Sequence, residues 1–114
     1  MTGNARAAGL VKGTLDLLVL KALSNGKMHG YGISLWLERV SSGRLGVEDS
    51  AIYQALQRLR GRGLIEAGWG TSKNNRRARY YELTSDGRRQ LEAEAATWHE
   101  YAASVAAVLA DEVV

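Results

Sequence analysis

The spacing of apolar residues changes twice along this chain, and that change constrains the fold more than any other feature. Up to residue 59, apolar residues recur every three or four positions, as on one face of an amphipathic helix. Residues 64–69 and 79–83 instead have the pattern of short strands, with Tyr81 and Leu83 on one face. The helical period then returns over residues 85–109. The pattern predicts a mainly α (α+β) chain of three helices, a two-stranded hairpin and a long final helix.

Each of the three predicted helices has an apolar face that suits a shared core, and the first is apolar nearly all round. Asp49 or Ser50 can cap the third helix, which Gly63 can end. Thr84 or Ser85 can cap the last helix. The predicted core positions are Leu15, Leu18, Val19, Ala22 and Leu23, then Ile33, Trp36, Leu37 and Val40, then Ile52, Ala55, Leu56 and Leu59.

Basic charge is concentrated in the middle of the chain, although the whole chain carries only +3. Residues 50–90 hold nine Lys and Arg against three acidic residues, a net charge of +6. Residues 91–114 hold five acidic residues and no Lys or Arg. A polyanion is therefore expected to bind the middle third, and the acidic C-terminal segment is expected to face elsewhere.

The predicted order of elements is that of a winged helix-turn-helix, in which the third helix enters the DNA major groove and the hairpin lies beside it as a wing. The wing is the stronger signal, because residues 73–79 carry four basic side chains and no acid, whereas exposed helix faces are commonly polar. The spacing leaves open which wing arginine points outward, and Arg79 has Glu66 as an alternative partner. The predicted DNA contacts are Ser50, Tyr53, Gln54, Gln57 and Arg58 on the third helix, and Lys73, Asn74, Asn75, Arg76, Arg77 and Arg79 in the wing.

Apolar residues of the last helix are separated by alternating steps of four and three, which is the heptad seam of a coiled coil. A helix of ~25 residues spans roughly 37 Å, longer than the rest of so small a domain, so a second copy of the chain is the expected cover. The alternative is that this helix folds back on the first helix of its own chain. The seam residues are Leu91, Ala95, Trp98, Ala102, Val105 and Leu109.

Composition and spacing exclude several classes of function. The chain has no Cys and two distant histidines, His29 and His99, which leaves little for thiol, metal or triad chemistry. No nucleophile–base pair and no phosphate-binding glycine loop is recognisable. No apolar run approaches the ~20 residues of a membrane span. A cytoplasmic, non-enzymatic domain without cofactor or metal is expected, with His29 as a hydrogen-bonded turn residue and Trp36 and Trp69 as ordinary packing residues.

Four segments of the chain form a recognisable set. They are GTLDLLVLKAL (residues 13–23), MHGYGI (28–33), AIYQALQRLRGRGLI (51–65) and RRARYYELTSDGRRQL (76–91). Together, over about residues 12–110, they resemble the PadR family of bacterial transcriptional regulators in order and spacing. The chain length is similar to that of the short-tailed subfamily, which ends in a single dimerising helix. The resemblance implies a homodimeric repressor that binds an inverted-repeat operator in double-stranded DNA.

The resemblance also assigns individual residues. Tyr53 matches the tyrosine of the family's recognition helix, and residues 73–79 match its basic wing. Gly30 and Tyr31 match the turn that enters the second helix, which makes Tyr31 a supporting DNA contact. Where the family usually has Gly-Ser/Thr-Leu-Tyr-Pro, residues 50–54 of this chain read SAIYQ, so a different operator sequence is expected.

Trp98 is the one residue for which a ligand is expected. A large aromatic residue between Ala95 and Ala102 leaves room beside it where two chains meet, and flat ligands stack on indole rings. Some short-tailed PadR members bind planar aromatic compounds between the chains with a tryptophan of the last helix, and Trp98 matches that position. The alternative is that Trp98 only fills the dimer core.

The domain organisation follows from these patterns. Residues 1–11 are expected to form a flexible N-terminal segment, 12–84 the winged helix-turn-helix domain, 85–110 the dimerisation helix and 111–114 a frayed tail. The leading hypothesis is a DNA-binding transcriptional regulator. The alternative is a winged-helix protein-interaction module whose basic surface binds an acidic protein. Gln and Ser beside Arg on the third helix favour the first hypothesis, because they suit a DNA groove better than a protein surface.

Overall fold

Three helices and one face of a small sheet enclose the core. The structure is a computed structural model that describes residues 13–112. The predicted α+β architecture with a long last helix is confirmed, whereas the expected flexible segment 1–11 and the end of the expected frayed tail, residues 113–114, lie outside the described residues. In chain order the elements are α1 (Thr14–Leu23), β1 (Met28–His29), α2 (Gly30–Val40), α3 (Asp49–Gly61), β2 (Ile65–Thr71), β3 (Arg77–Leu83) and α4 (Ser85–Ala110).

The described sheet has three antiparallel strands in the order β1-β3-β2, so the prediction of a two-stranded hairpin was incomplete. Two residues are too few to show an alternating pattern, and β1 is defined only by its pairing of Met28 with Tyr81 and His29 with Tyr80. The hairpin strands are also longer than predicted, because pairing continues to Thr71 and Arg77. The long hairpin therefore projects beyond the core as a wing.

Most of the predicted core residues are buried. The one exposed residue of this set is Val40, the last residue of α2. Leu15, Leu18 and Trp36 are partly buried against the core. The buried core residues that the spacing predicted are Val19, Ala22, Leu23, Ile33, Leu37, Ile52, Ala55, Leu56 and Leu59, together with Tyr81 and Leu83 of β3.

The end of α3 and the start of α4 meet in one tight junction. Gly63 has φ +73°, a left-handed conformation that glycine adopts without strain at a helix end. Thr84 caps α4 as predicted, because its Oγ1 accepts a hydrogen bond from the Gly87 N–H at 3.0 Å and donates one to the Gly63 carbonyl at 2.8 Å. Gly87 is buried so closely against the Leu64 carbonyl that a Cβ there would overlap the oxygen. The junction fixes the direction of α4 relative to α3.

The predicted cap of α3 was wrong. The residue that precedes the helix is Glu48, and its side chain makes no capping hydrogen bond. Asp49 instead accepts a hydrogen bond at 2.7 Å from the Ser34 hydroxyl of α2. Its carboxylate lies in the first turn of α3, where it complements the helix dipole. Asp49 therefore links the two helices of the helix-turn-helix.

The last helix, α4, is the longest element of the described chain. Its 26 residues span about 39 Å. The described chain measures 62 × 33 × 20 Å. Its N-terminal half packs on α1 and β3, with Leu91 against the core, so the alternative of packing on its own chain holds for that half. The C-terminal half leaves Val105, Val108 and Leu109 exposed.

Candidate nucleic-acid interface

A groove separates the outer face of α3 from the sheet. Tyr53, Gln54, Gln57 and Arg60 line it from the helix, and Arg79 and Tyr81 line it from β3. These helix residues point outward because the residues between them, from Ile52 to Leu59, press their apolar side chains into the core. Arg60 was not among the predicted contacts, although its helical spacing from Gln57 would have placed it on this face. Two cations and two amides thus share one groove, and none of its lining residues is acidic.

Tyr53 is held against the start of α2. Its ring lies over Gly30 so closely that a Cβ added to Gly30 would be 2.7 Å from the Tyr53 hydroxyl. The absence of a side chain at Gly30 lets α3 and α2 approach at this point. The Tyr53 hydroxyl therefore lies near the N-terminal end of α2, where the helix dipole favours an anion.

The turn into α2 exposes a second tyrosine beside Tyr53. His29 caps α2, since its Nδ1 accepts a hydrogen bond from the Gly32 N–H at 2.8 Å, and its expected role as a hydrogen-bonded turn residue is confirmed. The exposed Tyr31 ring stacks on the His29 ring, with centroids 6.5 Å apart and planes 14° apart. Tyr31 and Tyr53 thus lie at the same end of α2. Ser50 is exposed in the first turn of α3.

Arg58 differs from the other predicted contacts on α3. Its guanidinium forms an ion pair with Asp16 of α1, at 2.7 Å between Nη2 and Oδ1. This hydrogen bond raises the pKa of Arg58 above its ordinary value, against an opposing contribution from desolvation. The side chain is therefore engaged by its own domain.

The arginines of the wing lie at different distances from the core. Arg76 is exposed at the tip, where Ser72 and Arg76 close the turn through a backbone hydrogen bond of 2.7 Å. Asn75 adopts φ +59°, a left-handed conformation that asparagine tolerates better than most residues. Closer to the core, Arg77 is exposed and Arg79 is partly buried on the sheet face that carries the core. The exposed tip residues are Lys73, Asn74, Asn75 and Arg76.

Trp69 is not the ordinary packing residue that was predicted. It is 59% exposed, and the guanidinium carbons of Arg77 and Arg79 lie 4.5 and 5.5 Å from its ring centroid. Arg79 pairs with Trp69 across the ladder, whereas Glu66 pairs with Glu82 on the other sheet face. The alternative Arg79–Glu66 ion pair is thus not formed. The Arg79 Nε is buried and has no hydrogen-bond partner within the described chain.

Trp98 lies in a second groove, between α1 and α4. Leu17 and Tyr101 line the groove beside it, and Trp98 itself is 41% exposed. The exposed His99 ring meets the indole edge-on, with centroids 6.3 Å apart. Of the other seam residues, Leu91, Ala95 and Ala102 are partly exposed, whereas Val105 and Leu109 are exposed.

Residues 13–112 contain no cluster of His, Cys, Asp and Glu that could hold a metal ion. Over the same residues, no helix combines the length and the apolar character that crossing a bilayer requires.

Comparison with known proteins identifies the family. Residues 19–93 match the sequence model described as "Transcriptional regulator PadR-like family". The chain belongs to this family. The predicted PadR resemblance is thereby confirmed, and the family's members are transcriptional regulators.

Solved structures agree with this assignment. A PadR-like transcriptional regulator from Bacillus cereus is 30% identical, with a TM-score of 0.78 over 89% of this chain and 96% of its own. A PadR family regulator from Clostridium difficile is 25% identical, with a TM-score of 0.72 over 85% of this chain and 99% of its own. Bacillus subtilis PadR, solved in complex with operator DNA, is 23% identical and shares the fold, with a TM-score of 0.64 over 73% of this chain and 47% of its own.

Two sequence relatives of this PadR-like chain are uncharacterised proteins. One, from Lysinibacillus sphaericus, is 26% identical over 91 residues, which are 80% of this chain and 84% of the relative. The other, a 37.1 kDa protein in transposon TN4556 of Streptomyces fradiae, is 40% identical over 80 residues. That alignment spans 70% of this chain but only 21% of the relative.

Proposed function

We propose that this chain is a transcriptional regulator that binds double-stranded DNA sequence-specifically, as a homodimeric repressor on an inverted-repeat operator. The observation that carries the proposal is the groove between α3 and β3, which joins two glutamines, two arginines and no acid. An α-helix fits the major groove of B-DNA, and a basic hairpin beside it meets the flanking phosphates. Bacillus subtilis PadR has the same fold and was solved with operator DNA, which supports this assignment.

The two elements have different roles in this proposal. Gln54 and Gln57 read bases, because a glutamine amide both donates and accepts hydrogen bonds and can pair with adenine. Arg60 and Ser50 lie on the same helix and extend this set. Arg58 holds α3 on α1 through Asp16 rather than contacting a base. The phosphate contacts are Tyr31, Tyr53, Lys73, Asn74, Asn75, Arg76, Arg77 and Arg79.

The proposed division of the chain is a DNA-binding domain over residues 12–84 and a dimerisation helix over residues 85–110. The apolar surface of α4 supports it, since the seam residues Val105 and Leu109 are 39% and 79% exposed in the single chain. A second α4 packed along the heptad seam would cover these residues. A two-fold axis between the chains would present the two α3 helices to the two half-sites of an inverted repeat, which are related by the same kind of symmetry.

The proposed effector of this regulator is a planar aromatic compound that stacks on Trp98. The groove between α1 and α4 supports it, because the indole there is partly exposed beside Leu17 and Tyr101. A planar aromatic cation should quench tryptophan emission in the wild-type chain and lose most of that effect in Trp98→Ala, in which Trp36 and Trp69 remain as background. Equal quenching in both chains would place the ligand elsewhere.

The experiment that tests the proposed function is selection of DNA from the source genome. The purified chain is mixed with sheared genomic fragments at physiological salt, and the bound fragments are sequenced. We expect enrichment of fragments that share an inverted repeat, including DNA upstream of the chain's own gene. The variant Gln54→Ala/Gln57→Ala serves as the matched control and should retain binding without the shared repeat. Recovery of an unbiased sample by the wild-type chain would favour the protein-interaction module instead.

A further inference from the structure

The surface of the wing next to α3 carries an aromatic residue beside two arginines. Trp69 lies on β2, and its ring centroid is 4.5 Å from the Arg77 guanidinium and 5.5 Å from that of Arg79. The antiparallel register explains the cluster, because Trp69 pairs directly with Arg79 and its neighbour on the same face, Thr71, pairs with Arg77. The cluster is therefore built into the pairing of the hairpin.

Core packing does not account for Trp69. Ala67 is the last apolar residue of β2 that packs on the core, whereas Trp69 lies further out and is 59% exposed. An exposed indole on a projecting hairpin stabilises the fold little. Its contacts with the two cations are the specific interactions that it makes within the described chain.

Stacking on an indole orders an arginine without using its hydrogen-bond donors. The π-face of the ring attracts the flat face of the guanidinium, while the N–H bonds lie in the guanidinium plane and point to its edges. Arg79 illustrates the point, since its guanidinium carbon lies 5.5 Å from the Trp69 ring centroid while its side chain lines the α3 groove. The arginines are thus ordered, charged and still able to donate hydrogen bonds.

We infer that Trp69 is a positioning residue for DNA binding, which holds Arg77 and Arg79 in place to donate hydrogen bonds to backbone phosphates. The inference rests on the proposed function. Pre-ordering lowers the conformational entropy that two arginine side chains lose when they bind a phosphate. Trp69 itself acts through the arginines and makes no contact with the DNA.

A double-mutant cycle on a mixed-sequence DNA duplex at low salt tests this inference. Phosphate contacts are sequence-independent, so the operator is not needed. Trp69→Ala should weaken binding about tenfold, because it removes two cation–π contacts. The same change in an Arg77→Met/Arg79→Met chain should weaken binding less than about twofold, since no arginine is left to position. A tenfold loss in both chains would mean that Trp69 contacts DNA directly and would overturn the inference.

Two further variants separate positioning from folding of the hairpin. Trp69→Phe keeps an aromatic face and should restore most of the affinity that Trp69→Ala loses. Tyr80→Ala removes a ring from the other face of the same hairpin, where it covers Gly70, and should bind within about twofold of wild type. Equal losses in Tyr80→Ala and Trp69→Ala would show that weakening of the hairpin is the cause.

The same titrations separate failure of the inference from failure of the proposed function. A wild-type chain that binds no duplex at low salt contradicts the proposed function. A wild-type chain that binds the duplex, with Trp69→Ala binding equally well, contradicts only the role of Trp69. Circular dichroism of each variant confirms that the compared chains are folded.

Discussion

Arg58 of α3 donates two hydrogen bonds to Asp16 of α1, from Nε at 3.3 Å to Oδ2 and from Nη2 at 2.7 Å to Oδ1. The two residues are 42 positions apart in the sequence. The pair ties the polar side of α3 to α1 while the apolar side of α3 packs in the core. It fixes the rotation of α3 about its own axis, and with it the direction in which Gln54 and Gln57 point.

The first prediction concerns this ion pair. Arg58→Met should lower the free energy of unfolding by about 0.5–1 kcal/mol, the range of a partly exposed ion pair with good geometry. Asp16→Asn should have a similar effect, and the double variant should cost little more than either, because each change removes the same interaction. Denaturant unfolding of the three chains measures this. Loss of base preference at a single operator position in Arg58→Met but not in Asp16→Asn would show instead that Arg58 contacts DNA.

The second prediction concerns the junction of α3 and α4. Gly87→Ala should lower the free energy of unfolding by roughly 2–3 kcal/mol, because the new methyl group would overlap the Leu64 carbonyl, a backbone atom that the hairpin and Thr84 hold in place. Gly61→Ala is the matched control, since nothing lies within 4 Å of a Cβ there. That change should leave stability unchanged or raise it by up to about 1 kcal/mol. Equal midpoints in thermal unfolding of the two variants would contradict the close approach.

The third prediction separates base reading from anchoring. Gln54→Ala or Gln57→Ala should relax preference at individual base pairs, at about 1–3 kcal/mol for a bidentate contact. Arg76→Ala at the wing tip should lower the affinity for all DNA sequences nearly equally, because phosphate contacts carry no sequence information directly. Binding to a library of single-base operator variants measures both effects. If the wing variant altered base preference and the helix variants did not, the two roles would be reversed.

The sequence predicts well what depends on the periodicity of apolar residues. The buried face of α3 follows from the spacing of Ile52, Ala55, Leu56 and Leu59, and all four are buried. Contacts between distant polar residues are not encoded by spacing. The Arg58–Asp16 ion pair joins residues that only the packing of α1 on α3 brings together.

The hairpin also contains contacts that the spacing of residues does not predict. Alternation predicts that Tyr81 and Leu83 share a face, but not how far that face extends beyond the core. Trp69 lies on this extension, so the expectation of ordinary packing was wrong, and its contacts with the arginines depend on the register of the ladder. Strand β1 was missed because a two-residue strand has no pattern of its own.

The fourth prediction concerns assembly. Val105→Asp should convert the proposed dimer into monomers and abolish operator binding, because it buries a carboxylate against an apolar seam without a partner. Ala103→Asp is the matched control, because Ala103 is exposed on the side of α4 nearly opposite Val105. The Ala103→Asp chain should remain dimeric. Light scattering coupled to size exclusion measures both masses. A dimeric Val105→Asp chain would show that the seam does not join the protomers.

The central claim is that the basic middle of the chain, on α3 and the wing, binds the DNA backbone. The most direct test is the affinity of the wild-type chain for duplex DNA as a function of salt concentration. Each neutralised phosphate releases counterions and contributes about −0.9 to the log–log slope, so a dimer with six to ten phosphate contacts should give a slope of about −5 to −9. A slope near zero between dilute and physiological salt would contradict the claim.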